Sequence, residues 1–312
     1  MPTDSHGRHP RGHRIRGFLA TIAALAIALA LAASSTLAEE TKDSAKAPEP
    51  PTDAELAAIS ERGRILAGYD EAAWYGTDAV QAVNPNDALV HGFIAVKETS
   101  GKWRVVFGKR SESDSAFLVA YEAVQGDRPR VFTGSAKVPP VIDRDVLLRA
   151  SRALDTARAA HGGVSRPYNM AVIPAPAESW FVYAYPAVLK EGLWPIGGDT
   201  RYTVSGDGRH VLSTRKLHNS ILEAAPPEGA KAGFHTHVLA CIPEDTDVMA
   251  VLRRDARCAE YIACDPFMYA VDPDGAVRHL GLTDVILKDK EDGATGATPP
   301  AKPNDLRKPN PR

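Results

Sequence analysis

His235 and His237, in Gly233-Phe234-His235-Thr236-His237, are the residues of this sequence whose types and spacing point most directly to chemistry. On an extended strand the side chains at i and i+2 leave the same face, so two imidazoles placed this way can share one metal ion. Asp247 follows at the head of a helix-like segment and offers a carboxylate. Two imidazoles and one carboxylate make a three-ligand zinc set with one position left for water, and metal-assisted hydrolysis is the chemistry that set supports. The plainer reading is a strand end with two polar residues before a helix cap.

Other side chains bear on the same site. His218, in Lys216-Leu217-His218-Asn219-Ser220, is a candidate third imidazole, against the plainer reading of a strand-end residue. Cys241 is close enough in sequence to be a candidate ligand, though a small apolar residue in a loop needs no such role. With Cys258 and Cys264 it completes a set of three, so an exported monomer holds at most one disulfide and keeps a free thiol. Cys258 with Cys264 is one candidate pair, flanking the end of a helix and the start of a strand. His210 and His279 read as solvated. Gly197-Gly198-Asp199 lacks the Lys and following helix of a phosphate loop and reads as a turn. No Gly-x-Ser-x-Gly pattern supports a serine nucleophile. Trp74, Trp103, Trp180 and Trp194 read as core or hairpin-stabilising residues.

The elements that must position these residues follow from periodicity and turn chemistry. Residues 53–83 read mainly helical, with Leu56, Ile59, Ile65 and Leu66 near helical spacing, Thr52 or Asp53 as N-cap, and a break at Gly68. Val90–Lys97, Lys102–Phe107 and Ala116–Ala123 form an antiparallel meander. Asp143–Ala160 is a second helix, stopped by Gly162-Gly163. Strands follow at Tyr168–Ile173 and Trp180–Ala187, then a hairpin of Arg201–Ser205 and His210–Lys216 around Gly206-Asp207-Gly208. Ala232–His237 is a short strand, Asp245–Arg257 a helix, and Tyr261–Leu280 a closing hairpin turning at Asp272-Pro273-Asp274-Gly275.

The ends of the chain and its charge bound the setting. Arg11, Arg14 and Arg16 precede an apolar run from Gly17 to Ala33, and Ser34-Ser35-Thr36-Leu37-Ala38 offers small residues for cleavage after Ala38. This is a secretory signal over residues 1–38, which makes the mature protein periplasmic or extracellular, with no membrane span after cleavage. Residues 39–52 read as a flexible, Pro-rich leader and 288–312 as a disordered tail. A net charge of −2 over 312 residues, with no Lys/Arg block in the folded part, excludes a nucleic-acid partner.

From Asp143 onward, the element order and the residues Phe234-His235-Thr236-His237 and Asp247 resemble the JAB/MPN domain of the JAMM metallopeptidases. The resemblance implies an α+β chain: residues 53–140 form a helix plus antiparallel meander, packed on a JAB/MPN-like (cytidine-deaminase-like) mixed sheet with helices over residues 141–287. It implies zinc held by His235, His237 and Asp247, and a glutamate acting as base on zinc-bound water. Glu244 stands where that family's motif has Ser. The position matching the catalytic Glu, around Arg166 to Asn169, holds no carboxylate, which leaves Glu178 or Glu191 as the base. The whole chain also resembles a set of uncharacterised exported bacterial proteins. The expected function is an exported zinc-dependent hydrolase of peptide or isopeptide bonds acting on a peptide or envelope component. The competing expectation is a non-catalytic descendant of that fold, an envelope binding or scaffold protein.

Overall fold

The first helix of the computed structural model, α1 (Asp53–Gln81), starts on a reciprocal cap: Thr52 Oγ1 accepts from Glu55 N at 3.3 Å, and Glu55 Oε2 accepts from Thr52 N at 2.8 Å. The structure describes residues 49–190, 192–223, 229–254 and 257–286. The expected signal segment, residues 39–48 of the leader and the tail from 288 onward lie outside them. Among the described residues no helix is long and apolar enough to cross a membrane.

α1 runs unbroken through Gly68, contrary to the predicted break. A Cβ there would lie 2.7 Å from Cζ2 of Trp103, so the glycine admits an indole against the helix and does not end it. Gly63 has the same role one turn earlier, where a Cβ would meet Val248 Cγ1 at 2.6 Å and Asp245 O at 2.7 Å. The helix therefore serves two layers. Its early turns bury Leu56 and Ile59 with Val248, Val251, Ile262 and Tyr269. Its later turns bury Leu66, Tyr69, Ala72 and Val80 with Val105 and Ala123.

An antiparallel sheet follows, in the order β1 (Gly92–Lys97), β2 (Trp103–Arg110), β3 (Phe117–Gln125), β4 (Phe132–Asp143). The fourth strand is not evident in the sequence. Most of its residues are exposed or half-buried and it contains Pro139 and Pro140, so it has neither a buried stripe nor a full set of donors, and it lies on the sheet edge. Helix α2 (Val146–His161) then begins over Asp143, whose Oδ1 accepts from Leu147 N at 2.9 Å and Leu148 N at 3.2 Å. It stops at Gly162 with φ of 74°.

The second sheet is antiparallel, with order β5-β6-β8-β9: β5 (Tyr168–Ala175), β6 (Ser179–Pro186), β8 (Thr200–Val204) and β9 (Val211–Lys216). Two short strands, β7 (Ile196–Gly197) and β10 (Ile221–Leu222), pair beside it. The third sheet has order β11 (Ala232–Thr236), β12 (Ala259–Ala263), β13 (Phe267–Val271), β14 (Val277–Leu282). Here the expected single hairpin over 261–280 is three strands. The chain reverses at Asp265-Pro266, where Cys264 N donates to Phe267 O, and again at Gly275. β12 runs parallel to β11, with helix α3 (Asp245–Arg253) between them in sequence. The class is mixed α+β.

Candidate metal centre

Strand β11 presents His235 and His237 on one face, as i and i+2 geometry requires, with their Nε2 atoms 3.1 Å apart. Helix α3 brings Asp247 to them in its first turn. Asp247 Oδ1 is 3.2 Å from His235 Nε2, and Oδ2 is 3.3 Å from His237 Nε2. The second sheet contributes a fourth group. His218, just beyond β9, puts Nε2 2.9 Å from His237 Nε2 and 3.2 Å from Asp247 Oδ1. The four ligand atoms lie within 4.8 Å of one another. A tetrahedron built on bonds of about 2.0 Å has edges of about 3.3 Å, so the spacing suits one small cation held by all four. His218 thus stands with the expected three residues as a fourth group that could hold a metal ion.

The hydrogen bonds behind the ring support this reading. His218 Nδ1 is 2.6 Å from Asp199 Oδ1, His235 Nδ1 is 2.9 Å from Glu260 Oε1, and His237 Nδ1 is 2.8 Å from Ile242 O. Carboxylate and carbonyl oxygens accept, so each Nδ1–H donates outward and each Nε2 is turned inward, where its lone pair could serve a cation. Asp247 Oδ1 is buried and has no hydrogen-bond donor, since its two imidazole contacts lack hydrogen-bond geometry. Three inward imidazole nitrogens and an orphaned carboxylate oxygen around one point could hold a cation.

The electrostatics of the metal-free chain agree. Burial alone would lower the imidazole of His218, but Asp247 and Asp199 outweigh it and hold the ring at about 11. For His235 burial is likewise overcome, by Asp247 and Glu260, giving about 9. Burial would raise the carboxyl of Asp247, yet the His218 charge and the contacts with all three rings keep it well below the carboxylate range. Without a cation, protons take its place.

Local sequence explains the supports. Gly233 stands opposite Glu260 in the β11–β12 register, and a Cβ on it would lie 2.6 Å from Glu260 Cδ. The glycine therefore clears the path by which Glu260 reaches His235, and Arg254 Nη1 holds the other carboxylate oxygen at 2.7 Å. Gly197 and Gly198 take left-handed φ of 79° and 70°, and this turn delivers Asp199 to His218. Next to Asp247, Asp245 is fully buried and bound by Arg62, Arg201 and Tyr183 at 2.8, 2.6 and 2.7 Å. Glu244 N donates to Asp247 Oδ2 at 2.7 Å, and the Glu244 side chain pairs with Arg215. Burial raises the carboxyl of Glu244 to about 7.

Two expectations change here. Cys241 is disulfide-bonded to Cys264, so it is no metal ligand, and Cys258 is the free thiol. The loop after β11 returns along the end of the parallel strand β12 and brings these two Cα atoms to 5.2 Å, whereas Cys258 lies before β12, at its opposite end. His237 is fastened by the residues flanking this bridge: its N–H donates to Ala263 O at 2.9 Å and its Nδ1–H to Ile242 O.

Of the two expected bases, Glu178 is not assembled with the centre. Glu178 is exposed, in the turn between β5 and β6. The centre adjoins the other end of that sheet, where Ala184 pairs with Thr200 next to Asp199. Ala184 is six steps along the chain from Glu178, about 20 Å at 3.3 Å per residue. Glu191 lies outside the described residues. The tryptophans divide: Trp180 is buried and Trp103 half-buried against α1, Trp194 stacks under Arg253 at 4.7 Å, and Trp74 is 64% exposed. His210 is exposed as expected. His279 is half-buried, resting against Phe267 and Tyr269 with ring centroids at 5.2 and 5.3 Å. No family model, no curated protein and no solved structure matches this chain.

Proposed function

We propose that this chain is an exported, JAB/MPN-like zinc protein whose centre is closed, and that it works as a binding or scaffold protein of the cell envelope and not as a hydrolase. The observation that carries this is His218 Nε2, which fills the corner that a water-activating zinc site keeps for water. Donors of three imidazoles and one carboxylate suit zinc. The centre joins β9, β11 and α3, and so fastens the second sheet to the third. Export rests on the basic and apolar N-terminal segment and on the Cys241–Cys264 bridge, which belongs to an oxidising compartment.

A hydrolase of peptide or isopeptide bonds is the second reading. Glu244 favours it, as a buried carboxylate beside the ligands with a raised pKa of about 7, in the range of a general base. That role requires Glu244 to leave Arg215 and the metal to accept a further ligand.

Metal analysis of the purified protein, with peptidase and isopeptidase assays, separates the readings. The closed centre predicts about one zinc per chain, a large fall in melting temperature with chelator, and no turnover. Metal-dependent turnover abolished by Glu244→Gln would establish the hydrolase, and a metal-free protein indifferent to chelator would remove both.

A further inference from the structure

A cavity of about 190 Å³ opens between the early turns of α1, strands β8 and β9, and the loop that enters α3. None of the four metal-site residues lines it. It is smaller than the roughly 300–1000 Å³ of a site for a whole small molecule, so it admits a chain end or a small acid.

Three arginines converge on it, Arg62 from α1, Arg201 from β8 and Arg215 from β9. The fully buried Asp245 holds two of them: Arg62 Nε and Nη2 donate to Oδ1 at 2.8 Å, and Arg201 Nη1 donates to Oδ2 at 2.6 Å. Tyr183 Oη donates to the same Oδ2 at 2.7 Å, so each oxygen of that carboxylate already has two donors. Arg215 pairs with Glu244. Three guanidinium groups thus meet two carboxylates, which leaves one positive charge in excess. Glu55 is the other acidic residue of the wall. It is exposed, and its carboxylate is engaged in the cap of α1, accepting from Thr52 N and Oγ1 at 2.8 Å, so solvent screens its charge.

The excess is within reach of a ligand, because the Arg62, Arg201 and Arg215 side chains are 28, 15 and 41% exposed. A guanidinium carries five N–H donors, and the bonds to Asp245 and Glu244 use only one or two of each. The Phe181 ring, 4.7 Å from the Arg201 guanidinium carbon, steadies that group. Ile59, Ile242 and Pro243 supply an apolar stretch of wall.

One spare positive charge suits one negative charge, since a dianion would leave a charge unmatched in a half-closed space. Planar guanidinium forks match a planar carboxylate. We infer that this cavity binds a monocarboxylate on a short apolar stem, held by Arg62, Arg201 and Arg215 with the stem against Ile59 and Ile242. The C-terminus of a peptide and a small free acid share this chemistry. The inference does not depend on what the neighbouring centre holds.

The test is a calorimetric titration of the intact protein with N-acetyl-dialanine, its C-terminal amide, butyrate and inorganic phosphate. The acid should bind, and the amide, which differs only in charge, should bind at least tenfold more weakly, as loss of a charge-assisted contact implies. Tighter binding of the dialanine than of butyrate assigns the cavity to a peptide C-terminus, and equal binding assigns it to small acids. Arg62→Gln removes the spare charge while Arg201 and Tyr183 still serve Asp245, so it should cost tenfold or more in carboxylate affinity with the circular dichroism unchanged. The inference is overturned if no carboxylate binds at millimolar concentration, if the amide binds as well as the acid, if phosphate binds more tightly, or if Arg62→Gln binds like the parent protein. Should Arg62→Gln fail to fold, the acid and amide on the parent protein decide the matter alone.

Discussion

The Nε2 atoms of His218 and His237 stand 2.9 Å apart, although the two residues come from different sheets. In the metal-free chain a proton on His218 bridges the two nitrogens at this spacing, and a cation bound beside the Asp247 carboxylate would take that proton's place. His218→Ala should therefore weaken zinc binding and lower the melting temperature of the loaded protein, while His235→Ala should abolish stoichiometric zinc. Mass spectrometry of bound metal and thermal melts with and without chelator check both. Unchanged zinc affinity in His218→Ala would return the site to three ligands.

Glu260 orients His235 without touching the metal position. Glu260→Gln keeps the shape but loses the charge that both His235 and Arg254 use, and such outer carboxylates typically contribute 10–100-fold in metal affinity. A competition titration with a coloured chelator should show a loss in that range. Equal affinity would mean that His235 is oriented by packing alone.

Acid and metal compete for the same nitrogens. In the metal-free chain His218 and His235 are raised from 6.5 to about 11 and about 9, so both hold a second proton at neutral pH. Groups raised on folding contribute stability that is complete below pH 6.5 and is lost as pH climbs through about 9 and then about 11. Zinc uptake must expel both protons, so affinity should rise with pH, by up to about a hundredfold per unit below pH 9. Metal-free and zinc-loaded proteins should thus show opposite slopes of melting temperature against pH above neutrality. Parallel slopes would contradict the assignment.

Gly63 sets how closely α1 lies on α3. Gly63→Ala places a methyl against Val248 and the Asp245 carbonyl, a backbone atom that cannot turn aside. Overpacking of this kind costs about 1–3 kcal/mol. Gly101→Ala is the control, since nothing lies within 4 Å of its Cβ position, although its φ of 82° adds local strain. Denaturant melts should show the larger loss at Gly63, together with weaker zinc retention because α3 carries Asp247.

The sequence reveals what depends on neighbours along the chain and hides what depends on neighbours in space. Periodicity and turn residues disclose α1, the first three strands, α2 and the Gly206-Asp207-Gly208 hairpin, because each is decided by its own residues. β4 has no such stripe and exists because β3 offers it an edge. In the centre, His235, His237 and Asp247 are legible from local spacing. His218, Asp199 and Glu260 arrive from separate strands and turns, and no sequence interval relates them to the pair. One signal was available: a charged Glu260 between apolar neighbours in Cys258-Ala259-Glu260-Tyr261-Ile262 calls for a buried partner. Gly68 misleads because a glycine that ends a helix and one that admits a ring look the same in sequence.

On the proposed zinc reading, the bridge between Cys241 and Cys264 should make metal retention a report on the redox history of the chain. Each half-cystine adjoins a carbonyl that grips His237, Ile242 on one side and Ala263 on the other. Reduction with dithiothreitol should speed zinc release to a chelator even though no sulfur touches the metal, and the Cys241→Ser, Cys264→Ser double variant should release it equally fast with or without reductant. If the proposed zinc centre is correct, oxidation should precede durable loading, and a chain with its disulfide still open should hold the metal loosely.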